Sequence, residues 1–175
     1  VLQSSRALCV GLTLLGLVDA ASADRLLRRD GQPVLDGRAL EVDDNGVRFR
    51  VARGAEQSDL LVTWDQIRLF ETDRDGFAYR YAERREMSEQ LWRARSRVER
   101  LDYAAAEPIF ESLFAQTLNR TDTTAITVAE GLLRCRLARG ARAAAVVPWL
   151  ELHRLLAQGL KPTAYLALPP VVDAQ

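Results

Sequence analysis

Histidine and lysine each occur once in these 175 residues, as His153 and Lys161, and there are two cysteines and one methionine. One imidazole and one thiol beyond residue 23 leave no His/Cys cluster for a metal and no internal disulfide. No glycine-rich loop of the kind that cradles phosphate is present. The 24 basic and 24 acidic side chains cancel, so no overall field draws nucleic acid or anionic lipid to the chain. Nearly all the positive charge is arginine, a skew that reflects base composition more than a binding surface. The one long apolar run, residues 7–18, falls short of the ~20 residues a membrane span needs.

What is present begins with that run. Residues 1–23 carry Arg6, the apolar stretch and a small-residue end at Ala21-Ser22-Ala23, which together predict a secretory signal peptide cleaved after Ala23. An uncleaved anchor is the alternative. Cys9 lies inside this segment, in a context unlike a lipoprotein acylation site. The remaining thiol, Cys135, sits among Leu132, Leu133 and Leu137 and is expected to be reduced, buried and chemically dispensable. His153 falls on another helix, with no nucleophile motif around either residue.

Residues 24–71 read as β-structure, with expected strands at 25–27, 33–42, 47–51, 60–63 and 67–70. Asp30-Gly31 and Asn45-Gly46 are hairpin dipeptides, because their backbones reach positive φ at little cost. Alternation places Val47, Phe49 and Val51 on one core face. Gly37 fits a bulge within the long second strand, or else Asp36-Gly37 forms a turn. This order of strands and tight turns, with Trp64-Asp-Gln-Ile67 before the last strand, resembles SH3-like and Sm-like small barrels. The resemblance implies five strands closed into a barrel and a short 3₁₀ turn at Trp64-Asp65-Gln66.

Residues 72–87 are expected to be a linker with few contacts. Asp75-Gly76 would turn, Phe77, Tyr79 and Tyr81 would alternate along an extended segment, and Ser88 would cap the first helix. Glu71, Asp73, Asp75 and Gly76 imitate the start of a calcium loop, but Ala82 stands where the twelfth-position acid is required.

Residues 88–159 are expected to form helical hairpins. Leu91, Ala94, Val98 and Leu101 make one apolar stripe, and Ala106, Ile109, Phe110 and Leu113 make a second beyond the Asp102-Tyr103 break. The helices of each pair would pack antiparallel. Further helices are predicted over residues 125–137 and 142–156, with Gly140 between them. The small Ala94 and Ala106 with Phe110 four residues later resemble a tetratricopeptide repeat, which implies close helix contacts at the alanines. A second copy aligns at a shift of 39, where Ala145, Trp149 and Leu152 answer Ala106, Phe110 and Leu113. A shift of 40 instead pairs Pro108 with Pro148 and Glu111 with Glu151. Trp149, like Phe110, is expected in the core. Asn119-Arg-Thr121, formally a glycosylation acceptor, reads as loop, and residues 160–175 read as an extended tail over the helices.

The expected class is α+β: a small five-stranded β-barrel followed by antiparallel helical hairpins. No catalytic, cofactor or metal residues stand out. The function expected is an exported binding or scaffold protein, not an enzyme, with a protein or peptide partner, no nucleic acid and no membrane span in the mature chain. The competing reading is a hydrolase whose site gathers scattered acids such as Asp43, Asp44 and Asp65.

Overall fold

The computed structural model describes residues 23–29, 31–53, 56–162, 164–165 and 168–171. The leader reading of residues 1–22, Cys9 included, lies outside them. Ten elements follow in chain order: β1 (Asp24–Arg28), β2 (Leu35–Val42), β3 (Gly46–Arg53), β4 (Glu56–Thr63), a 3₁₀ turn (Trp64–Gln66), β5 (Ile67–Glu71), α1 (Asp75–Glu99), α2 (Tyr103–Thr117), α3 (Thr123–Ala138) and α4 (Arg142–Ala157). The class is α+β, an antiparallel sheet followed by helical hairpins.

The strands stand in the order β4-β3-β2-β1-β5. This is an open sheet and not the closed barrel expected, since β4 pairs with β3 and β5 with β1, and no ladder among the described residues joins β4 to β5. A helix covers the apolar face instead, so burial does not require closure. Val47, Phe49 and Val62 of the sheet share one core with Tyr81, Leu91, Ala94 and Val98 of α1. The alternation in β3 holds, with Val47, Phe49 and Val51 all buried.

Two glycines in the sheet have different reasons. Gly46 has φ 145° at the β2–β3 turn, where the Asp43 carboxylate accepts the Asn45 and Gly46 N–H groups at 2.8 and 3.2 Å. Gly37 is neither a turn nor a bulge. It pairs with Val51, and a Cβ there would strike the Arg50 backbone oxygen and the Phe49 ring, so close backbone approach is what it provides. The register shift in β2 falls further on, between Ala39 and Glu41.

Residues 72–87 are not an extended linker. α1 starts at Asp75, and Phe77, Tyr81, Ser88, Leu91, Ala94 and Val98 form a single helical stripe that outweighs the alternation of the three aromatics. Tyr81 packs edge-on against Phe70 at 5.8 Å, whereas Tyr79 is exposed. Ser88 is not a cap but a buried mid-helix anchor, its hydroxyl donating to the Trp64 carbonyl at 2.6 Å. Around it Arg29 bonds the Ile67 carbonyl and Glu89, and Arg95 bonds Asp65. Sheet and helices are therefore tied along one seam.

α2, α3 and α4 follow as consecutively packed helices. Asp102 and Asp122 cap α2 and α3, their carboxylates accepting from Ala105 and Ala125 N–H. Leu101 does not extend the α1 stripe into the core: it lies past the helix end with φ 62° and is exposed. At the chain's far end Tyr165 is buried, Leu168 and Val171 pack on the helices, and the Pro169 carbonyl accepts from Arg134 at 2.9 Å.

Candidate functional site

The acids do not assemble. Asp43 is occupied by its own turn, Asp44 pairs with Arg84 and lies 3.6 Å from Arg120, and Asp65 is buried against the Thr63 hydroxyl and Arg95. Asp43 and Asp44 share a cleft of about 290 Å³ with Trp64 and Arg80, and Asp65 is not part of its lining. Glu71 ends β5 beside Arg25 and Asp75 opens α1, so the calcium-like spelling is split between two elements. Among the described residues no three metal-ligating side chains converge.

Cys135 is a free, fully buried thiol on α3, and burial, reinforced by Glu107, pushes its pKa up to about 12. Thiolate chemistry at neutral pH is thereby disfavoured. His153 does not approach it through any hydrogen bond; its ring lies 4.3 Å from that of Trp149 on α4. Asn119 is exposed at φ 66°, in the α2–α3 loop as expected, and its N–H donates to Glu151.

The two helical turns share one internal offset. After α1, Leu101 N–H bonds Val98 O at 2.9 Å, Asp102 N–H bonds Arg97 O at 2.8 Å, and Arg97 Nη1 reaches Ala105 O at 2.6 Å. After α3, Gly140 N–H bonds Leu137 O at 3.0 Å, Ala141 N–H bonds Arg136 O at 2.9 Å, and Arg136 Nη1 reaches Ala144 O at 2.6 Å. Each donor and acceptor in the second set is its counterpart in the first moved by 39 residues (136 − 97 = 39; 144 − 105 = 39). The internal correspondence is therefore 39, not 40. Both turns also place a residue of positive φ at the same point, Leu101 and Gly140.

That correspondence exposes a difference between hairpins. Ala106 and Ala145 are both buried, as are Leu113 and Leu152. Phe110 is fully buried under α3, where Gly131 leaves room for its ring. Its counterpart Trp149 is 43% exposed, which corrects its expected place in the core. Nothing among the described residues lies on α4 as α3 lies on α2. Val146, Val147 and Leu150 join Trp149 on the open face, at 49%, 53% and 55% exposure. The signal in the sequence is the run from Ala143 to Leu150, eight residues without a charge, on a helix whose buried face needs only part of them.

A second concavity of about 450 Å³ lies between β5 and α1, with Arg29, Arg68, Arg85 and Arg93 around it. Arg29 and Arg93 both bond Glu89 there, and the Arg29 hydrogen bond chiefly holds the Glu89 carboxyl below its usual range. No helix among the described residues is long and apolar enough to cross a membrane. Comparison of the chain with protein-family models, with curated proteins and with solved structures finds no match to any of them.

Proposed function

We propose that this chain is an exported scaffold protein that holds a protein partner on the outer face of α4. The observation that carries the reading is the uncharged apolar surface of Val146, Val147, Trp149 and Leu150 on the last helix of the stack. Several large apolar side chains clustered at half exposure are a contact surface more often than scattered decoration. Export rests on Arg6, the apolar run and Ala21-Ser22-Ala23. A tetratricopeptide-like character for the helices is supported by the burial of the small Ala94 and Ala106 and by the 39-residue correspondence. An SH3-like character for the sheet is supported by its strand order and the 3₁₀ turn before β5.

The test is affinity capture from the native host's envelope fraction with wild-type protein, with Leu150→Asp, and with Tyr79→Asp as an exposed control on α1. Proteins captured by the wild type and the control but not by Leu150→Asp are the expected outcome. Equal capture by all three refutes the reading.

A further inference from the structure

The internal correspondence also says what the α4 face fits. We infer that the docked element is an α-helix lying on α4 as α3 lies on α2, with glycine or alanine against Trp149 and apolar residues where α3 carries arginine; this rests on the scaffold reading above.

Three features of the α2–α3 interface, moved by 39 residues, lead there. First, Phe110 is covered because α3 offers Gly131, where a Cβ would collide with the Phe110 ring. Trp149 stands at the Phe110 position, so a helix that covers it also needs a small residue at the crossing. Second, α2 uses Glu107 and Glu111 to hold α3: Arg139 donates to Glu107 at 2.6 and 2.7 Å, and Arg136 donates to Glu111 at 3.0 Å. The counterparts of these acids on α4 are Val146 and Leu150, both about half exposed (107 + 39 = 146; 111 + 39 = 150). An arginine facing them would lose its carboxylate partner, so the complementary helix is apolar at those points. Third, the residues common to both hairpins, Ala145 and Leu152, are already buried against α3, which leaves the open side of α4 continuous with the existing stack. Ala143, Val146, Val147 and Leu150 stand at helical spacing, the pattern by which one helix receives another.

The probe is a fluorescein-labelled peptide with the α3 sequence, residues 123–138, carrying Arg136→Leu to remove the unmatched charge and Cys135→Ala to prevent oxidation. Its anisotropy is measured against the purified chain. Weak, reversible binding is expected of a single short helix, at the low end of interface size. Leu150→Asp in the chain weakens binding at least tenfold, and so does Gly131→Leu in the peptide. Unchanged thermal unfolding of Leu150→Asp confirms its fold, and Val147→Lys replaces it if that variant is unstable.

Absence of binding at 1 mM chain overturns the inference, as does equal binding of the Gly131→Leu peptide. A dimer seen by sedimentation and abolished by Leu150→Asp assigns the face to a second copy, which also overturns it. The two readings fail separately. Capture that depends on Leu150 without peptide binding removes the helix geometry and leaves the scaffold, whereas peptide binding with capture indifferent to Leu150 removes the scaffold and leaves the geometry.

Discussion

Gly131 occupies the middle of α3, where alanine ordinarily stabilises a helix by about 1 kcal/mol. The Phe110 ring and the Tyr165 hydroxyl fill the space its missing side chain leaves. Gly131→Ala is therefore expected to destabilise the protein by about 1–3 kcal/mol, because overpacking outweighs propensity; chemical denaturation gives the sign directly. A second contrast separates the corresponding aromatics of the two hairpins. Phe110→Ala empties a fully buried volume and is expected to cost about 3–5 kcal/mol. Trp149→Ala, on a half-exposed site, is expected to cost about 1 kcal/mol or less. Equal losses for the two would mean that α4 is covered in solution.

At the scale of elements, α1 belongs to the sheet as much as to the helices. Its midpoint is held by Ser88, which donates to the Trp64 carbonyl in the 3₁₀ turn and lies 3.1 Å from the Ile67 carbonyl. Ser88→Ala removes this hydrogen bond, leaving the Trp64 carbonyl only the Ile67 N–H and the Ile67 carbonyl only Arg29, and is expected to lower stability by about 1 kcal/mol. Were Ser88 only a cap at an exposed helix start, removal of its hydroxyl would be felt by α1 alone. Acid should weaken the ion pairs that Glu89 makes on α1 and Glu151 makes on α4. The Glu89 carboxyl is depressed chiefly by its hydrogen bond from Arg29, and that of Glu151 chiefly by Arg154. A carboxyl with a depressed folded pKa contributes stability above its unfolded value, near 4.5, and loses it as pH falls through the folded value. Melting temperature should hold from pH 7 down to about 5 and fall below 4.5, with a shallower fall in the double variant Glu89→Gln, Glu151→Gln.

For the molecule as a whole, one core runs from Leu26 and Phe49 in the sheet through Trp64 and Leu91 to Phe110 and Leu132 in the helices. The expectation that residues 72–87 join the sheet and the helices with few contacts does not fit this continuity. Unfolding should be cooperative, with far-ultraviolet ellipticity and tryptophan fluorescence changing at one denaturant concentration. Phe110→Ala should move both curves together. Two separated transitions would show that the sheet and the helical stack are independent units.

The sequence by itself determined the elements and their order. Period-two alternation marked β3, Asn45-Gly46 marked its hairpin, apolar stripes marked the second half of α1 and α2, and Gly140 marked the break between α3 and α4, because local patterning and turn chemistry act within a few residues. It also determined that Cys135 is buried among leucines. Only the tertiary structure decided where α1 begins: Phe77, Tyr79 and Tyr81 satisfy a strand period locally, and contact with Phe70 and the 3₁₀ turn is what favours the helix. Closure of the sheet was likewise invisible, since it depends on whether strand or helix covers the apolar face. The candidate site was the least legible part. Trp149 and Phe110 look alike in the chain, and their opposite fates follow from a neighbour that α2 has in α3 and that α4, among the described residues, does not have.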